Sequence, residues 1–459
     1  VRALEGCAVI AAMTAPLSIR PFAGGVHPPE RKELAADRPI EVLPTPALLA
    51  VPLHQHAGAP CVSKLKLRQE VKWGEVIADA EAYVSAPIHA PVNGVAQIGG
   101  VTTLPNGRHV KTAPIKAGPA QIDPAELKQT LLVGPWPFGE IGALDPAVIV
   151  AKCRAGGLVG EGGAAFPTHV KLARNEKRPV DTLLVNGCEC EPYITSDYRL
   201  MLEAPGAITA GALLAARACG AERIVIAIED NKPLAIDALA PLAAEHGAQV
   251  AVVPTKYPMG GEKQLIPTVL GRVVPSGGLP LDVGAVVINV GTATALAAAV
   301  LRDRPLTHRV VSVTGGGIAQ PKNILAPIGA PISDLIAFCG GLKPDAARVI
   351  AGGPMMGFTL NQLDVPLTKG TGGIVALTRA ELRRIEQTAC IRCGRCVDVC
   401  PLRLVPTKLA LAARCKDWET ARNYHLRACC ECGCCAYVCP AGIPLVQLIR
   451  MGKAMGKGV

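Results

Sequence analysis

The chain has 459 residues, 50% apolar and only 3% aromatic, with 48 Gly, 40 Pro and a formal charge of +10. That length exceeds a single core and indicates about three or four domains, and the apolar share excludes a disordered chain. The positive balance comes with no aromatic-interleaved basic stripe and no nucleic-acid motif, so nucleic acid is not expected as a partner.

Up to about Pro119, short extended runs at Ala47–Leu53, Glu75–Ile77 and Gly94–Ile98 are cut by prolines and by the Asn93-Gly94 and Asn106-Gly107 turn signals. They predict a small all-β unit. From about Asp145 to Val253 the pattern alternates: helix Pro146–Ala155, strand Thr182–Val185, helix Ala207–Cys219, strand Arg223–Ile228, helix Leu234–His246, strand Gln249–Val253. Alternation of this kind predicts a parallel sheet with helices on its faces. Val283 to Leu301 carries no charge and is long enough to span a bilayer. Asn289, Gly291, Thr292 and Thr294 interrupt it, so a buried strand at Ala285–Val290, a turn and a small-residue helix are the better reading. From Arg309 to Met356 a strand, a Gly315-Gly316-Gly317 break, a short helix near Ile332–Cys339 and a strand at Arg348–Ile350 predict a small α+β module. From Leu377 the chain is expected to turn helical and then cysteine-rich.

Of the 18 cysteines, most crowd into this last segment at ligand spacing. In a long chain that means metal binding in a reducing compartment, not a secreted disulfide framework. One run is Cys390-x-x-Cys393-x-x-Cys396-x-x-x-Cys400-Pro401 and the other is Cys429-x-x-Cys432-x-x-Cys435-x-x-x-Cys439-Pro440. Three cysteines three apart wrap three irons of a cubane, and Gly394 and Gly433 let the backbone approach its sulfides. The fourth cysteine of each run ligates the other cluster in two-cluster ferredoxins. The expected ligand sets are therefore Cys390, Cys393, Cys396 and Cys439 for one [4Fe–4S] cluster, and Cys429, Cys432, Cys435 and Cys400 for the other. A zinc site gains nothing from the third cysteine or the proline. Cys430 and Cys434 are expected to turn away from the cubane. Cys7, Cys61, Cys153, Cys219, Cys339 and Cys415 read as buried small side chains. From Ala380 onward there are thirteen Lys/Arg against six Asp/Glu. That suits either a solvated face or docking to an acidic redox partner.

Gly156-Gly157-Leu158-Val159-Gly160-Glu161-Gly162-Gly163 precedes a basic stretch with Lys171. Clustered glycines can turn N–H groups toward a phosphate, and the lysine adds charge. The spacing matches neither the dinucleotide fingerprint nor the P-loop, and a structural glycine turn is the plainer alternative. The next strand ends in Asn186-Gly187-Cys188-Glu189-Cys190-Glu191, at the position where open parallel sheets bind ligands. There Asn186 is placed to bond a flavin edge, and Glu189 and Glu191 to hold ribityl or ribose hydroxyls. With glutamates beside them and no third thiolate, Cys188 and Cys190 do not read as a metal site.

These segments, with Phe22–Glu30, Lys256–Leu265, Asn289–Thr292 and Gly352–Gly357, resemble the C subunit of the Rnf/Rsx ion-translocating electron-transport complex over nearly the whole chain. The resemblance implies a multidomain α/β and α+β chain. A barrel-sandwich β unit (21–119) would come first, followed by a Rossmann-like FMN and NAD(H) domain (140–295) similar to the NADH-oxidising flavoprotein of respiratory complex I. A β-grasp, SLBB-like module (305–360) and a two-cluster ferredoxin domain (377–450) would follow. Gly160, Gly162, Gly163, Lys171, Asn186, Glu189, Gly261, Glu262, Asn289 and Thr292 match the flavin-contact pattern, and Phe166 and Glu191 match positions near the nicotinamide nucleotide. Compared with the complex I flavoprotein, Glu161 stands in place of an arginine, Cys188 of an aspartate, Lys263 of a glutamate and Ile288 of an asparagine.

The function implied is exchange of electrons between NAD(H) and ferredoxin or flavodoxin. Hydride transfer at FMN would be followed by single-electron steps through the two clusters, with no side chain acting as general acid or base. The membrane-embedded and ferredoxin-type subunits of the complex would be its partners and would couple the reaction to ion translocation. The chain would sit peripherally on the cytoplasmic face of the bacterial inner membrane, without a transmembrane helix of its own. Alternatives are a soluble flavin/iron–sulfur reductase, such as a microcompartment cobalamin reductase, and a non-catalytic two-cluster relay.

Overall fold

The computed structural model describes residues 17, 19–383 and 385–456; Cys7 lies outside them. At its centre is a four-stranded parallel sheet in the spatial order Ala248–Val253, Arg223–Glu229, Thr182–Gly187, Ala285–Asn289. The inner strands are largely apolar because helices cover both faces; in Ala285–Asn289 every residue but the last is buried. Chain order moves outward from Thr182–Gly187 to Ala248–Val253. It then returns, placing Ala285–Asn289 on the other side of Thr182–Gly187. That reversal puts a ligand crevice beyond the carboxyl ends of these two strands. The uncharged stretch after Val283 is the strand Ala285–Asn289 followed by the helix Val290–Leu301.

The N-terminal unit consists of two antiparallel sheets, neither closed into a barrel. One orders Leu48–Pro52, His109–Ala117, Gly94–Ala96 and Glu70–Val71, with Gly100–Thr103 also on His109–Ala117. The other orders Val62–Ser63, Val76–Asp79 and Ile88–His89. Leu49, Val51, Ile77, Ile88 and Ile115 are buried in a core continuous with that of the central domain.

The α+β module is a six-stranded sheet in the order Ile40–Val42, Lys322–Pro327, His308–Thr314, Gly373–Thr378, Ala346–Ala351, Phe358–Thr359, with the helix Ile332–Phe338. Its edge strand Ile40–Val42 comes from the N-terminal segment, and Gly373–Thr378 lies past residue 360. Buried Asn323 ties three units together. Its oxygen accepts from Thr195 and Ser312, both at 2.9 Å, and its amide donates to the carbonyls of Ala35 and Arg38.

The helix expected from Leu377 does not form. Leu377 lies in the strand Gly373–Thr378, and the chain then turns where Glu381 accepts from the Thr378 N–H and hydroxyl. Beyond Leu377, the first helix among the described residues is Arg395–Asp398. The helix-forming residues between serve as a connector, with Arg383 donating to the Tyr437 carbonyl at 2.6 Å; tertiary bonds here override propensity. The expectation for Cys415 also fails, since it is exposed at the end of the helix Pro406–Cys415, whereas Cys61, Cys153, Cys219 and Cys339 are buried. In the C-terminal unit the helices Arg395–Asp398 and Cys434–Tyr437 start alike, after Gly394 and Gly433 at φ of 78° and 86°. The duplicated motif is thus a duplicated backbone turn that only glycine adopts without strain.

Candidate functional site

The glycine-rich segment folds back on itself. Gly160 N–H donates to the Phe166 carbonyl at 2.8 Å and Ala165 N–H to the Gly160 carbonyl at 3.2 Å, leaving Gly162, Gly163 and Ala164 exposed at the tip. Their N–H groups have no protein acceptor among the described residues, and free N–H groups on a tight loop form an anion cradle. The loop sits over the crevice: Gly162 lies against Asn289, and the Thr292 hydroxyl accepts the Glu161 N–H at 2.9 Å. Lys171 donates to the Val287 carbonyl at 3.3 Å and stands 3.7 Å from Glu262. Glu262 opens the helix Glu262–Leu270, with Gly261 at its N-cap. Asn186 donates to the Gly260 carbonyl at 2.8 Å, which draws that turn onto the strand end. Gly160, Gly162, Gly163, Lys171, Asn186, Gly261, Glu262, Asn289 and Thr292 therefore converge on one crevice, with Phe166 half-buried at the base of the loop.

The two glutamates are less free than their sequence position suggests. Glu189 is buried, and its carboxylate accepts from the N–H groups of Asp197 and Tyr198 and from the Ser196 hydroxyl at 2.8–3.2 Å. It caps the helix Ser196–Glu203. Glu191 accepts from the Met355 and Met356 N–H groups at 3.1 and 2.8 Å, fastening the β-grasp turn to the crevice. Burial pushes its carboxyl up to about 7, although those two N–H bonds and Lys32 oppose the rise. Sequence reading missed Asp197. It accepts from Asn289 at 2.6 Å, and burial followed by repulsion from Glu189 pushes it up to about 7. An acidic residue in a helix's first turn was the available signal, and on its own it says nothing of a crevice.

Cys400, Cys429, Cys432 and Cys435 border one small cavity walled by Leu402, Leu404 and Pro406. The Leu404 N–H points at the Cys400 sulfur and the Glu431 N–H at the Cys429 sulfur, both at 3.3 Å; such bonds stabilise cluster thiolates. Cys396 and Cys439 are buried together in an apolar cluster beside Cys435, while Cys390 and Cys393 are exposed. Among the described residues no three thiols or carboxylates converge to hold a single ion. A cubane takes one thiolate per iron, so its ligands surround it without converging. The expectation that Cys430 and Cys434 turn away is not met: both border the cavity with their thiols beside that of Cys432, although the Cys434 thiol also reaches toward the Tyr257 carbonyl.

The cavity abuts the crevice domain. Buried Tyr257, in the turn before Gly260, donates its hydroxyl to the Cys432 carbonyl at 2.6 Å. Gly25 N–H reaches the Val399 carbonyl at 2.8 Å, and Arg450 reaches the Met356 carbonyl at 2.9 Å.

Family models match in the same order along the chain: an RnfC barrel sandwich hybrid domain over 20–117, a Nuo51 FMN-binding domain over 153–298, an SLBB domain over 310–359 and a 4Fe-4S binding domain over 384–403. The C subunit of the proton-translocating ferredoxin:NAD(+) oxidoreductase complex of Clostridium ljungdahlii is 43% identical, over 95% of this chain and 94% of that one. The chain belongs to the RnfC family. The C subunit of the ion-translocating oxidoreductase complex of Rhodobacter capsulatus is 42% identical over 97% of this chain and 85% of its own length. The C subunit of the Na(+)-translocating ferredoxin:NAD(+) oxidoreductase complex of Acetobacterium woodii is 40% identical over 94% and 96%. The crystal structure of an NAD+-reducing [NiFe]-hydrogenase in the H2-reduced state overlaps more loosely, with a TM-score of 0.49 and 22% identity over 72% of this chain and 66% of that one.

The residues of this RnfC-family chain fit an FMN and two cubanes. Free loop N–H groups and Lys171 suit a phosphate, the strand-end asparagines wall the crevice, and thiols with N–H donors line the cavity. The 4Fe-4S match covers the first cysteine run; the second repeats its turn geometry.

Proposed function

We propose that this chain is the peripheral electron-transfer subunit of an Rnf-type complex, exchanging electrons between NAD(H) and a ferredoxin or flavodoxin. Other Rnf subunits would carry the ion-translocating step. No helix among the described residues is long and apolar enough to cross a membrane, which supports peripheral attachment; the cytoplasmic face is where NAD(H) is available. FMN, when bound, supplies the conversion between a two-electron hydride donor and one-electron clusters.

The chain's residues would do the rest. Gly162, Gly163 and Ala164 offer N–H groups and Lys171 a charge to the phosphate. Asn186, Asn289 and Glu262 shape the crevice. Cys429, Cys432, Cys435 and Cys400 hold one cluster, and Cys390, Cys393, Cys396 and Cys439 the other. The observation that carries this reading is that Tyr257, in the crevice turn, hydrogen-bonds the backbone of Cys432, which borders the thiol-lined cavity. Flavin and cluster would therefore be neighbours within one folded unit.

A second reading, a relay without nucleotide turnover, draws on Glu189 and Glu191 being occupied by protein donors. One experiment separates the two. The chain is purified anaerobically, its clusters are reconstituted, FMN is added, and NADH is titrated in while flavin absorbance and cluster EPR are followed. Flavin bleaching with cluster signals appearing is the expected result. Clusters reduced by dithionite but not by NADH, with FMN unbound, would leave only the relay.

A further inference from the structure

We propose that Arg309 and Lys369, contributed by the β-grasp module, are positioning residues of the flavin site. Their balance against Glu161 sets the relative affinity for oxidised and reduced flavin. This rests on the FMN reading above and adds to it a part of the molecule that the flavin-domain match, which ends at residue 298, does not reach.

Arg309 is 3% exposed on the strand His308–Thr314. Its guanidinium donates to the Glu161 carbonyl at 3.0 and 3.1 Å and to the Lys369 carbonyl at 2.6 Å. Lys369, 1% exposed, donates to the Gly157 carbonyl at 2.6 Å and the Pro87 carbonyl at 2.7 Å. The glycine segment is thus gripped by its carbonyls at Gly157 and at Glu161, each by a buried cation from another domain. In a trans peptide the carbonyl and the next N–H point in opposite directions. Holding the Glu161 carbonyl inward therefore turns the Gly162 N–H toward the open side of the loop, where a phosphate is to be received. Arg309 acts on the ligand through this peptide.

The Glu161 side chain also turns inward, with one carboxylate oxygen 3.5 Å from the Arg309 Nε. The other carboxylate oxygen and that Nε have no hydrogen-bond partner among the described residues, and both residues border a small, partly open cavity of about 40 Å³ against the helix Val290–Leu301. Buried charges with unmet bonds are costly, and an apolar set of the same volume would hold the domains together more cheaply. What an apolar set would not supply is the positive charge of Arg309 and Lys369 behind a loop facing an anionic cofactor, opposed by Glu161 and, in part, by Asp197, whose carboxyl burial pushes toward its neutral form. Flavin reduction adds electrons at that crevice, so the two cations favour the reduced form.

The test uses the full chain with reconstituted clusters. FMN dissociation constants are measured for both redox forms, alongside the flavin midpoint potential. Glu161→Gln removes the opposing charge and is expected to raise the ratio of oxidised to reduced dissociation constants about tenfold. That is the size of one charge acting over roughly 10 Å at an effective dielectric near 20, and it corresponds to about 30 mV upward for a two-electron couple. Arg309→Met and Lys369→Met are expected to shift the ratio the other way. Arg309→Lys keeps the charge but loses the fork, so both forms should bind more weakly with the ratio unchanged. Cluster content and thermal unfolding identify a variant that has failed to fold; if Arg309→Met does, Glu161→Gln and Lys369→Met decide. Ratios that stay within threefold of wild type, or that move in the same direction for Glu161→Gln and Lys369→Met, overturn the inference while leaving the FMN reading intact. Failure of the wild-type chain to bind FMN overturns both.

Discussion

Asn186 and Asn289 face each other as register partners at the carboxyl ends of adjacent parallel strands, where chain order reverses. Each uses its side chain once as donor and once as acceptor within the protein. Asn186 bridges the Gly260 carbonyl and the Cys188 N–H, and Asn289 bridges Asp197 and the Gly291 N–H. One thus fixes the far wall of the crevice and the other the near wall. Asn289→Ala strips the N-cap from the helix Val290–Leu301 and leaves Asp197 without its donor. Its expected cost is about 1–2 kcal/mol of stability, together with weaker FMN retention, read by denaturant unfolding and flavin fluorescence. Unchanged FMN affinity in a destabilised Asn289→Ala chain would reduce Asn289 to a helix cap.

The two cysteine sets differ in exposure. Cys390 and Cys393 are open to solvent, whereas Cys429, Cys432 and Cys435 are buried or half-buried under the crevice domain. Iron loss to a chelator in air should therefore be biphasic, with the cluster proposed on Cys390, Cys393, Cys396 and Cys439 going first. Cys439→Ala should abolish the fast phase and Cys400→Ala the slow one, each halving the iron content. The reverse pairing would mean that each run keeps its own fourth cysteine.

The strand–helix alternation, the buried strand ending at Asn289 and the paired cysteine runs are legible in the sequence because periodicity and ligand spacing are properties of short segments. What stays hidden depends on distant pairing. Nothing near Ile40 announces an edge strand for a sheet formed mainly by residues 308–378. Nothing near Arg309 or Lys369 announces that each would reach the carbonyls of the glycine segment. Glu189 and Glu191 do follow a strand end, yet each already accepts from donors at 196–198 and 355–356, which only the fold brings near.

Tyr257→Phe tests the junction between crevice and cavity. The substitution keeps the buried ring and removes the hydroxyl, with its bond to the Cys432 carbonyl and its interaction with the Glu191 carboxylate. Stability should fall by about 1 kcal/mol and FMN binding should hold. In stopped-flow mixing with NADH, flavin bleaching should keep its rate while cluster reduction slows. Equal slowing of both would place Tyr257 in nucleotide binding instead.

Lys369 gives a pH signature. Burial lowers its pKa from 10.5 to about 8, with Cys61 and Glu161 opposing the shift. Between those values the unfolded chain binds a proton that the folded chain does not, so stability must rise with pH. Below about 8 both states are protonated, and the cost of burying the charge is constant. Between pH 7 and 9 this one group should add roughly 1 kcal/mol to the unfolding free energy. In Lys369→Met the increment should vanish, so the wild-type minus variant difference should grow with pH over that window. The upper limit of pH 9 keeps the measurement below the titration of Cys61, whose thiol burial pushes up to about 11. A flat difference would mean that Lys369 keeps its proton throughout, and that its bonds to Gly157 and Pro87 hold a full positive charge beneath the loop at every pH the protein meets.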